Sequence, residues 1–257
     1  MANEKTFSDL LFEEYLDSQG IATFDYEKDW EGIPKHPDYT VYHNGSTFIF
    51  DVKEFDYHPR HPGQLVCDNP CDPIREKINQ VRTQFKYFKD KSCCLVLYTH
   101  DPLVELHEDT TMLGAMYGDF GVTMLFDTQK GSAVPDSTRQ RFLTGGKMFR
   151  YESSKLQNQT ISALVTLRHI HVGQRRYQKI FRDSPRTGKP IAAIDFDIDE
   201  KRLGVIVWEN AYARVPFPRD MFLGTYDVRW GVEGDVITQI FSGKDILDLE
   251  DFDKSEA

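Results

Sequence analysis

The stretch DYTVYHNGSTFIFDVK, residues 38–53, decides the fold of this chain. It consists of two β-prone runs, residues 39–42 and 47–52, on either side of Asn44-Gly45. An Asn-Gly pair between two such runs is the strongest short-range signal for a hairpin, because a type I′ turn needs positive φ at both central residues. The sequence therefore predicts a tight antiparallel hairpin.

The predicted turn also fixes the register of the two strands. A two-residue loop sets His43 opposite Ser46. Counting outward from that pair sets Asp38 opposite Asp51, and directly opposed β carbons lie roughly 4.5–5.5 Å apart. Lys53 is two residues beyond Asp51 and therefore points to the same face. We expect two carboxylates and an amine to meet at one place on the sheet.

The segments around the hairpin predict further helices and strands. Residues 7–19 have the apolar spacing of a helix that ends at Gly20. Its expected apolar side consists of Phe7, Leu10, Leu11 and Tyr15, with Phe12 and Leu16 as further candidates. Asp72 is expected to cap a second helix that has Pro73 in its first turn. Residues 93–98 form an apolar run typical of a buried strand. The second helix carries an apolar stripe with helical spacing, formed by Ile74, Ile78, Val81, Phe85 and Phe88.

This order of elements predicts an α/β protein with a mixed central sheet flanked by helices. We expect a core over residues 1–130, a C-terminal α+β extension over 131–244 that packs on the core, and an acidic tail over 245–257. Within the second half, the patterns favour a short helix over 112–117, a strand over 118–126 and a basic helix over 162–181. A hairpin is expected from residues 191–196 and 203–208.

Composition limits the classes of protein that fit. The 257 residues carry a net charge of −10 and are 40% hydrophobic, which is ordinary for a globular protein. No apolar run approaches the roughly 18 residues of a membrane helix, so no membrane partner is expected. The polar N-terminus lacks an apolar signal core, which favours a cytoplasmic location. The negative charge weighs against nucleic-acid binding, although binding needs a basic surface only where the backbone lies.

Two opposed carboxylates beside an amine have a chemical rationale. Facing like charges destabilise a sheet and push one carboxyl towards protonation. A divalent cation that prefers oxygen ligands, Mg²⁺ or Mn²⁺, removes that penalty. Such an ion lowers the pKa of a bound water and neutralises charge on a phosphate, and Lys53 can orient that water or stabilise the transition state. The pattern favours phosphodiester hydrolysis. The alternative is that Asp38 is a turn residue, with Asp51 and Lys53 on a solvated strand face.

Pro37-Asp38 followed by Asp51-Val52-Lys53 resembles the signature of the PD-(D/E)xK nuclease superfamily. The predicted order of elements over residues 7–98 is similar to the restriction-endonuclease-like core of that superfamily. The resemblance implies Mg²⁺-dependent cleavage of DNA, or less often RNA. It also implies that Asp38 and Asp51 are metal ligands and that Lys53 is the catalytic lysine.

The superfamily often adds a carboxylate from the first helix. We prefer Glu13 as this catalytic residue and metal ligand, with Asp9 and Glu14 as alternatives. Asp9 and Glu13 are four residues apart and share a helical face. A surface acid on an amphipathic helix explains Glu13 equally well.

Other residues are candidates for contacts with nucleic acid. Gln84 lies on the helix after the motif, where related nucleases often place a polar residue near the site. A dense basic stretch can meet backbone phosphates; its members are Arg175, Arg176, Lys179 and Arg182. A solvated helix surface is the alternative for both. The expected partner is nucleic acid, DNA before RNA, and a homo-oligomer or a protein partner is left open.

The sequence leaves three further interpretations open, one for a group of residues and two for the protein as a whole. His58, His61, Cys67 and Cys71 are residue types that zinc favours, but their spacing matches no familiar zinc pattern, so an ordinary loop is preferred. For the protein as a whole, a non-catalytic module of the same fold, binding nucleic acid or protein, would suit the acidic balance. A metal-dependent phosphoesterase acting on a small nucleotide is a third reading. The complete Asp-Asp-Lys set argues against the module.

Overall fold

The computed structural model describes residues 4–57, 69–134, 139–142, 145–150, 155–174, 199–233 and 236–243. The helices that lie wholly within these ranges are α1 (Phe7–Ser18), α2 (Asp72–Phe85) and α3 (Asp109–Tyr117), and residues 172–174 are also helical. None of the helices in these ranges is long and apolar enough to cross a membrane.

Eight strands form one mixed sheet. They are β1 (Phe24–Tyr26), β2 (Tyr39–His43), β3 (Ser46–Phe55), β4 (Ser92–Thr99), β11 (Ile161–His171), β12 (Lys201–Glu209), β13 (Val228–Glu233) and β14 (Val236–Ser242). Their order in the sheet is β1-β2-β3-β4-β11-β12-β13-β14. The pairs β3–β4, β4–β11 and β12–β13 are parallel, and the other pairs are antiparallel. The predicted mixed α/β class is confirmed.

Six shorter strands form two-stranded ribbons between α3 and β11. They are β5 (Phe120–Thr123) with β8 (Arg139–Phe142), β6 (Phe126–Asp127) with β7 (Ser132–Ala133), and β9 (Phe149–Arg150) with β10 (Lys155–Leu156). The strand expected over residues 118–126 is thus two short strands with a break between them. The helix expected over 112–117 is confirmed as part of α3.

The predicted hairpin is confirmed in turn and in register. Asn44 and Gly45 have φ of 49° and 73°, as a type I′ turn requires. β2 and β3 pair from His43 opposite Ser46 to Tyr39 opposite Phe50. Asp38 directly precedes β2, so the next position outward from the last pair faces Asp51.

Helix α1 covers one face of the sheet and starts in a capping box. The Thr6 side chain accepts from the Asp9 amide, and the Asp9 side chain accepts from the Thr6 amide. The expected apolar side of the helix is confirmed except for Phe7 and Leu10, which are 48% and 53% exposed. Its core side is formed by the other expected residues, Leu11, Phe12, Tyr15 and Leu16.

Helices α2 and α3 cover the opposite face. The predicted apolar stripe of α2 is confirmed: Ile74, Ile78, Val81, Phe85 and Phe88 are all buried. The expected capping role of Asp72 is wrong, because Cys71 is the N-cap and no side chain caps the helix. Asp72 is instead the first helical residue, and its carboxylate accepts a 3.0 Å hydrogen bond from Arg75.

The helix expected over residues 162–181 is wrong up to residue 171. That segment is β11, which lies between β4 and β12 in the sheet and is buried from Ile161 to Leu167. A strand covered on both faces reads as a continuous apolar run without alternation, which periodicity alone cannot separate from a buried helix.

The sheet extends across the predicted boundary at residue 130, since β1 to β4 and β11 to β14 belong to it together. The division into core and extension stays a prediction. A strand was expected over residues 203–208, and these residues lie in β12. The antiparallel partner of β12 is β11. The other arm of that expected hairpin, residues 191–196, and the acidic tail lie outside the described residues.

Candidate active site

The hairpin and its extension bring Asp38, Asp51 and Lys53 together. Asp38 Oδ2 accepts a 2.7 Å hydrogen bond from the Val52 amide and a 3.2 Å hydrogen bond from Lys53 Nζ. Lys53 Nζ also forms an ion pair with Asp51 Oδ1 and donates to the Val52 carbonyl oxygen at 2.9 Å. Three oxygens from three residues therefore converge on one ammonium group.

Asp51 is the most deeply buried member of this group. Its exposure is 0%, and neither carboxylate oxygen accepts a hydrogen bond of regular geometry within the described ranges. Its ionic partner is Lys53, whose side chain is 19% exposed. Burying a carboxylate without hydrogen bonds is costly, and removing its ionic partner would leave that cost uncompensated. Such an arrangement is typical of a functional site.

The electrostatics of the site follow from this burial. Burial raises the pKa of Asp38, and the neighbouring Asp51 carboxylate raises it further. Burial alone would lower the pKa of Lys53, but the carboxylates of Asp51 and Asp38 together raise it above its ordinary value. The ammonium is thus held charged between two acids.

Helix α1 places Asp9 within electrostatic range of Asp38 and Lys53. Asp9 Oδ2 accepts hydrogen bonds from the Thr6 amide at 2.9 Å and from Thr6 Oγ1 at 2.7 Å. Its other oxygen, Oδ1, is buried and accepts no hydrogen bond among the described residues. Burial raises the pKa of Asp9, and the charge of Asp38 adds to that rise. The spacing Thr6-Phe7-Ser8-Asp9 is a capping-box pattern that could have singled out Asp9 from the sequence.

Glu13, the first-helix acid preferred from sequence, is already engaged elsewhere. Its carboxylate forms an ion pair with Lys5 and accepts a 3.0 Å hydrogen bond from the Tyr39 hydroxyl. Glu14 is exposed on the helix surface. A role for Glu13 as ligand stays a prediction, while the burial and the unpartnered oxygen favour Asp9.

The donor set fits a divalent cation in chemical type and in charge. Asp9, Asp38 and Asp51 are oxygen donors, and together they carry more negative charge than Lys53 balances. Among the residues that the structure describes, no group of three or more His, Cys, Asp or Glu side chains is arranged to hold a metal ion. The carboxylates would therefore have to draw closer around a cation.

Gln84 is buried and does not lie on the surface of the protein. Its side chain amide donates a 2.7 Å hydrogen bond to the His36 carbonyl oxygen, and the residue is 1% exposed. The sequence-based expectation of a nucleic-acid contact is therefore corrected: the side chain faces protein and holds the loop that leads into Asp38. A second hydrogen bond holds the same loop: the backbone amide of Trp30 donates to His36 Nδ1 at 3.1 Å.

Sequence reasoning did not single out the cations that flank the site. Lys77 of α2 is half-buried, with Nζ 5.2 Å from the ring centre of Phe55, which shares a strand face with Lys53. Lys5 precedes α1 and pairs with Glu13. Both follow from packing between elements, which local sequence patterns do not reveal.

Several predicted residues lie outside the described part of the chain. They are the basic residues Arg175, Arg176, Lys179 and Arg182, and the loop residues His58, His61 and Cys67. Cys71, the fourth member of the suggested zinc set, is buried, and its thiol lies 3.4 Å from the Thr111 carbonyl oxygen.

Comparison of the chain with family models, curated proteins and solved structures returned no match. The chemistry of the site is therefore inferred from its own residues.

Proposed function

We propose that this protein is a metal-dependent nuclease that hydrolyses phosphodiester bonds, with DNA as its expected substrate. The observation that carries the proposal is the meeting of Asp38 and Asp51 at one ammonium group, Lys53, at the open end of a hairpin. The order α1, β2–β3 hairpin, α2, β4 supports a restriction-endonuclease-like core, because the PD-(D/E)xK superfamily carries its acids and lysine on the same elements.

In the proposed reaction, Asp38 and Asp51 would hold one or two Mg²⁺ or Mn²⁺ ions, with Asp9 or Glu13 as a further ligand. A bound divalent ion supplies Lewis-acid activation of water and neutralises charge on the phosphate. Lys53 remains protonated between the two carboxylates and can donate a hydrogen bond to a phosphate oxygen as charge develops there. The buried environment of Asp51 strengthens each of these electrostatic interactions.

The experiment is a cleavage assay on labelled DNA and RNA, single-stranded and duplex, with Mg²⁺, with Mn²⁺ and with EDTA. We expect cleavage that needs the metal and is lost in Asp51→Asn and in Lys53→Ala. Circular dichroism at the assay temperature checks that each variant, although less stable, is still folded under the conditions of the assay. Asp90→Asn is the matched control, since Asp90 forms an exposed pair with Lys91 and lies outside the site. Cleavage that survives in both site variants would remove the proposal.

The second candidate is a non-catalytic module of the same fold that binds nucleic acid or a protein. It is favoured by the net charge of −10 and by the lack of a preformed group of three metal ligands in the described residues. Titration with Mg²⁺ separates the two: the nuclease requires binding that depends on Asp51, and the module does not.

A further inference from the structure

Four rings cluster at the carboxyl ends of β3 and β4, beside the candidate active site. The ring centre of Phe7 lies 5.6 Å from that of Tyr98 and 5.3 Å from that of His100. Tyr98 and His100 are 5.0 Å apart, and His169 lies 6.3 Å from Tyr98. We name these residues, Phe7, Tyr98, His100 and His169, the ring cluster.

The ring cluster is open to solvent. Phe7 is 48% exposed although it begins a helix whose other aromatic residues are buried. The side chain of His100 is 38% exposed, and Tyr98 is half-buried. Packing into the core does not explain why an aromatic residue stands at position 7, because the neighbours of Phe7 in the cluster are themselves at the surface.

The ring cluster is joined to the candidate site by short structural links. The Ser8 amide, next to Phe7, donates a 3.2 Å hydrogen bond to Glu54 Oε2, and Glu54 directly follows Lys53 in β3. His100 Nε2 lies 3.9 Å from the same carboxylate oxygen. Phe7 is two residues from Asp9, about 3 Å along the helix axis. Side chains alternate along a strand, so the rings and the Lys53 ammonium lie on opposite sides of the end of β3.

From this arrangement we propose that the ring cluster stacks an unpaired nucleobase of the substrate, and that the substrate is single-stranded where it crosses the end of β3. The inference rests on the proposed function, because it takes a phosphate at Lys53 as given. Bases inside a duplex stack on one another and offer no free face, whereas an unpaired base can stack on an aromatic side chain. Lysines lie on one side of the end of β3 and rings lie on the other. One polynucleotide strand could therefore place its phosphates against the lysines and a base against the rings.

The test is binding, measured in EDTA so that no cleavage intervenes. The probe is a fluorescently labelled oligothymidylate, compared with a labelled duplex at the same salt concentration. We expect tighter binding of the single strand. Phe7→Ala is expected to weaken it about tenfold, in line with the usual effect of removing one stacking ring. Phe7→Trp keeps a ring and is expected to bind at least as tightly as wild type.

Tyr87→Ala is the matched control, because Tyr87 is an aromatic residue that is 42% exposed outside the ring cluster, and its loss should leave binding unchanged. The inference is overturned if the duplex binds more tightly, if neither probe binds, or if Phe7→Ala and Tyr87→Ala bind alike. Its failure is distinguishable from that of the nuclease. Cleavage that does not depend on Phe7 removes the stacking alone, and Phe7-dependent binding without cleavage in Mg²⁺ supports the stacking and removes the nuclease.

Discussion

The side chain amide of Gln84 donates a 2.7 Å hydrogen bond to the carbonyl oxygen of His36, two residues before Asp38. The bond ties helix α2 to the loop that delivers the first acid of the site. It joins residues 48 positions apart, and Gln84 itself is buried. The position of Asp38 therefore depends on a residue that does not itself reach the site.

Gln84→Leu is expected to lower the free energy of unfolding by about 1–2 kcal/mol, because it leaves the His36 carbonyl without its donor. Cleavage should fall as well, since the loop before Asp38 loses its anchor. Urea unfolding and a cleavage assay measure the two effects. Gln80→Leu, one turn earlier on an exposed position, should change neither. Equal effects at both positions would contradict the positioning role.

Asp9→Asn is expected to raise the Mg²⁺ concentration needed for half-maximal cleavage about tenfold or more. The amide keeps an oxygen to accept from the Thr6 amide, so the start of α1 is retained while the charge is removed. Glu13→Gln should have a smaller effect, because Glu13 is engaged by Lys5 and Tyr39. The opposite ranking would restore Glu13 as the first-helix ligand.

Lys53→Met is expected to destabilise the fold by about 3–5 kcal/mol, the usual effect of removing one partner from a buried ion pair. The reason is that Asp51, at 0% exposure, loses its only ionic partner among the described residues. Thermal or urea unfolding measures the change. Lys77→Met is the control, since it removes a half-buried lysine that stacks on Phe55, and it should cost less than about 1 kcal/mol.

The raised pKa of Asp38 predicts a pH dependence of a definite sign. An ordinary aspartate has a pKa of 3.8, so above that value the folded protein retains a proton that the unfolded chain loses. The stability contributed by this group is present below that pH and is lost as the pH rises through the raised folded-state value. Asp38→Asn does not titrate there. Its unfolding free energy relative to wild type should therefore improve from about pH 4 upward and then level off. A pH-independent difference would contradict this account.

Gly45→Ala is expected to cost about 1 kcal/mol of stability. Gly45 has a φ of 73°, and no other atom lies within 4 Å of the position that an added β carbon would take. The penalty therefore arises from the backbone alone. Ser46→Ala, an exposed neighbour with ordinary strand geometry, should be nearly neutral in the same unfolding assay.

Local sequence was sufficient for the hairpin, because Asn44-Gly45 sets both the turn and the register that aligns Asp38 with Asp51. It was also sufficient for the stripe of α2, whose apolar residues have strict helical spacing and lie against the sheet. In both cases the deciding interactions lie within one element or one turn.

The rest depended on contacts between distant segments. Which acid of α1 faces the site is set by the rotation of the helix on the sheet, which buries Leu11 and exposes Phe7. β11 lacks alternation because both faces of the sheet are covered there, with Leu164 in one core cluster and Ala163 and Val165 in the other. The role of Gln84 depends on a loop that packs against α2 from far away in sequence.

The place of β4 in the sheet has a practical consequence for dissecting the protein. From Cys93 to Leu97 this strand is 0% exposed, and it is hydrogen-bonded to β3 on one side and to β11 on the other. Truncation after residue 130 would remove β11 and turn β4 into an apolar edge with unpaired backbone groups, a template for aggregation. The hairpin that carries Asp38, Asp51 and Lys53 would then lie next to an edge strand that promotes aggregation. Expression trials should begin with the whole chain.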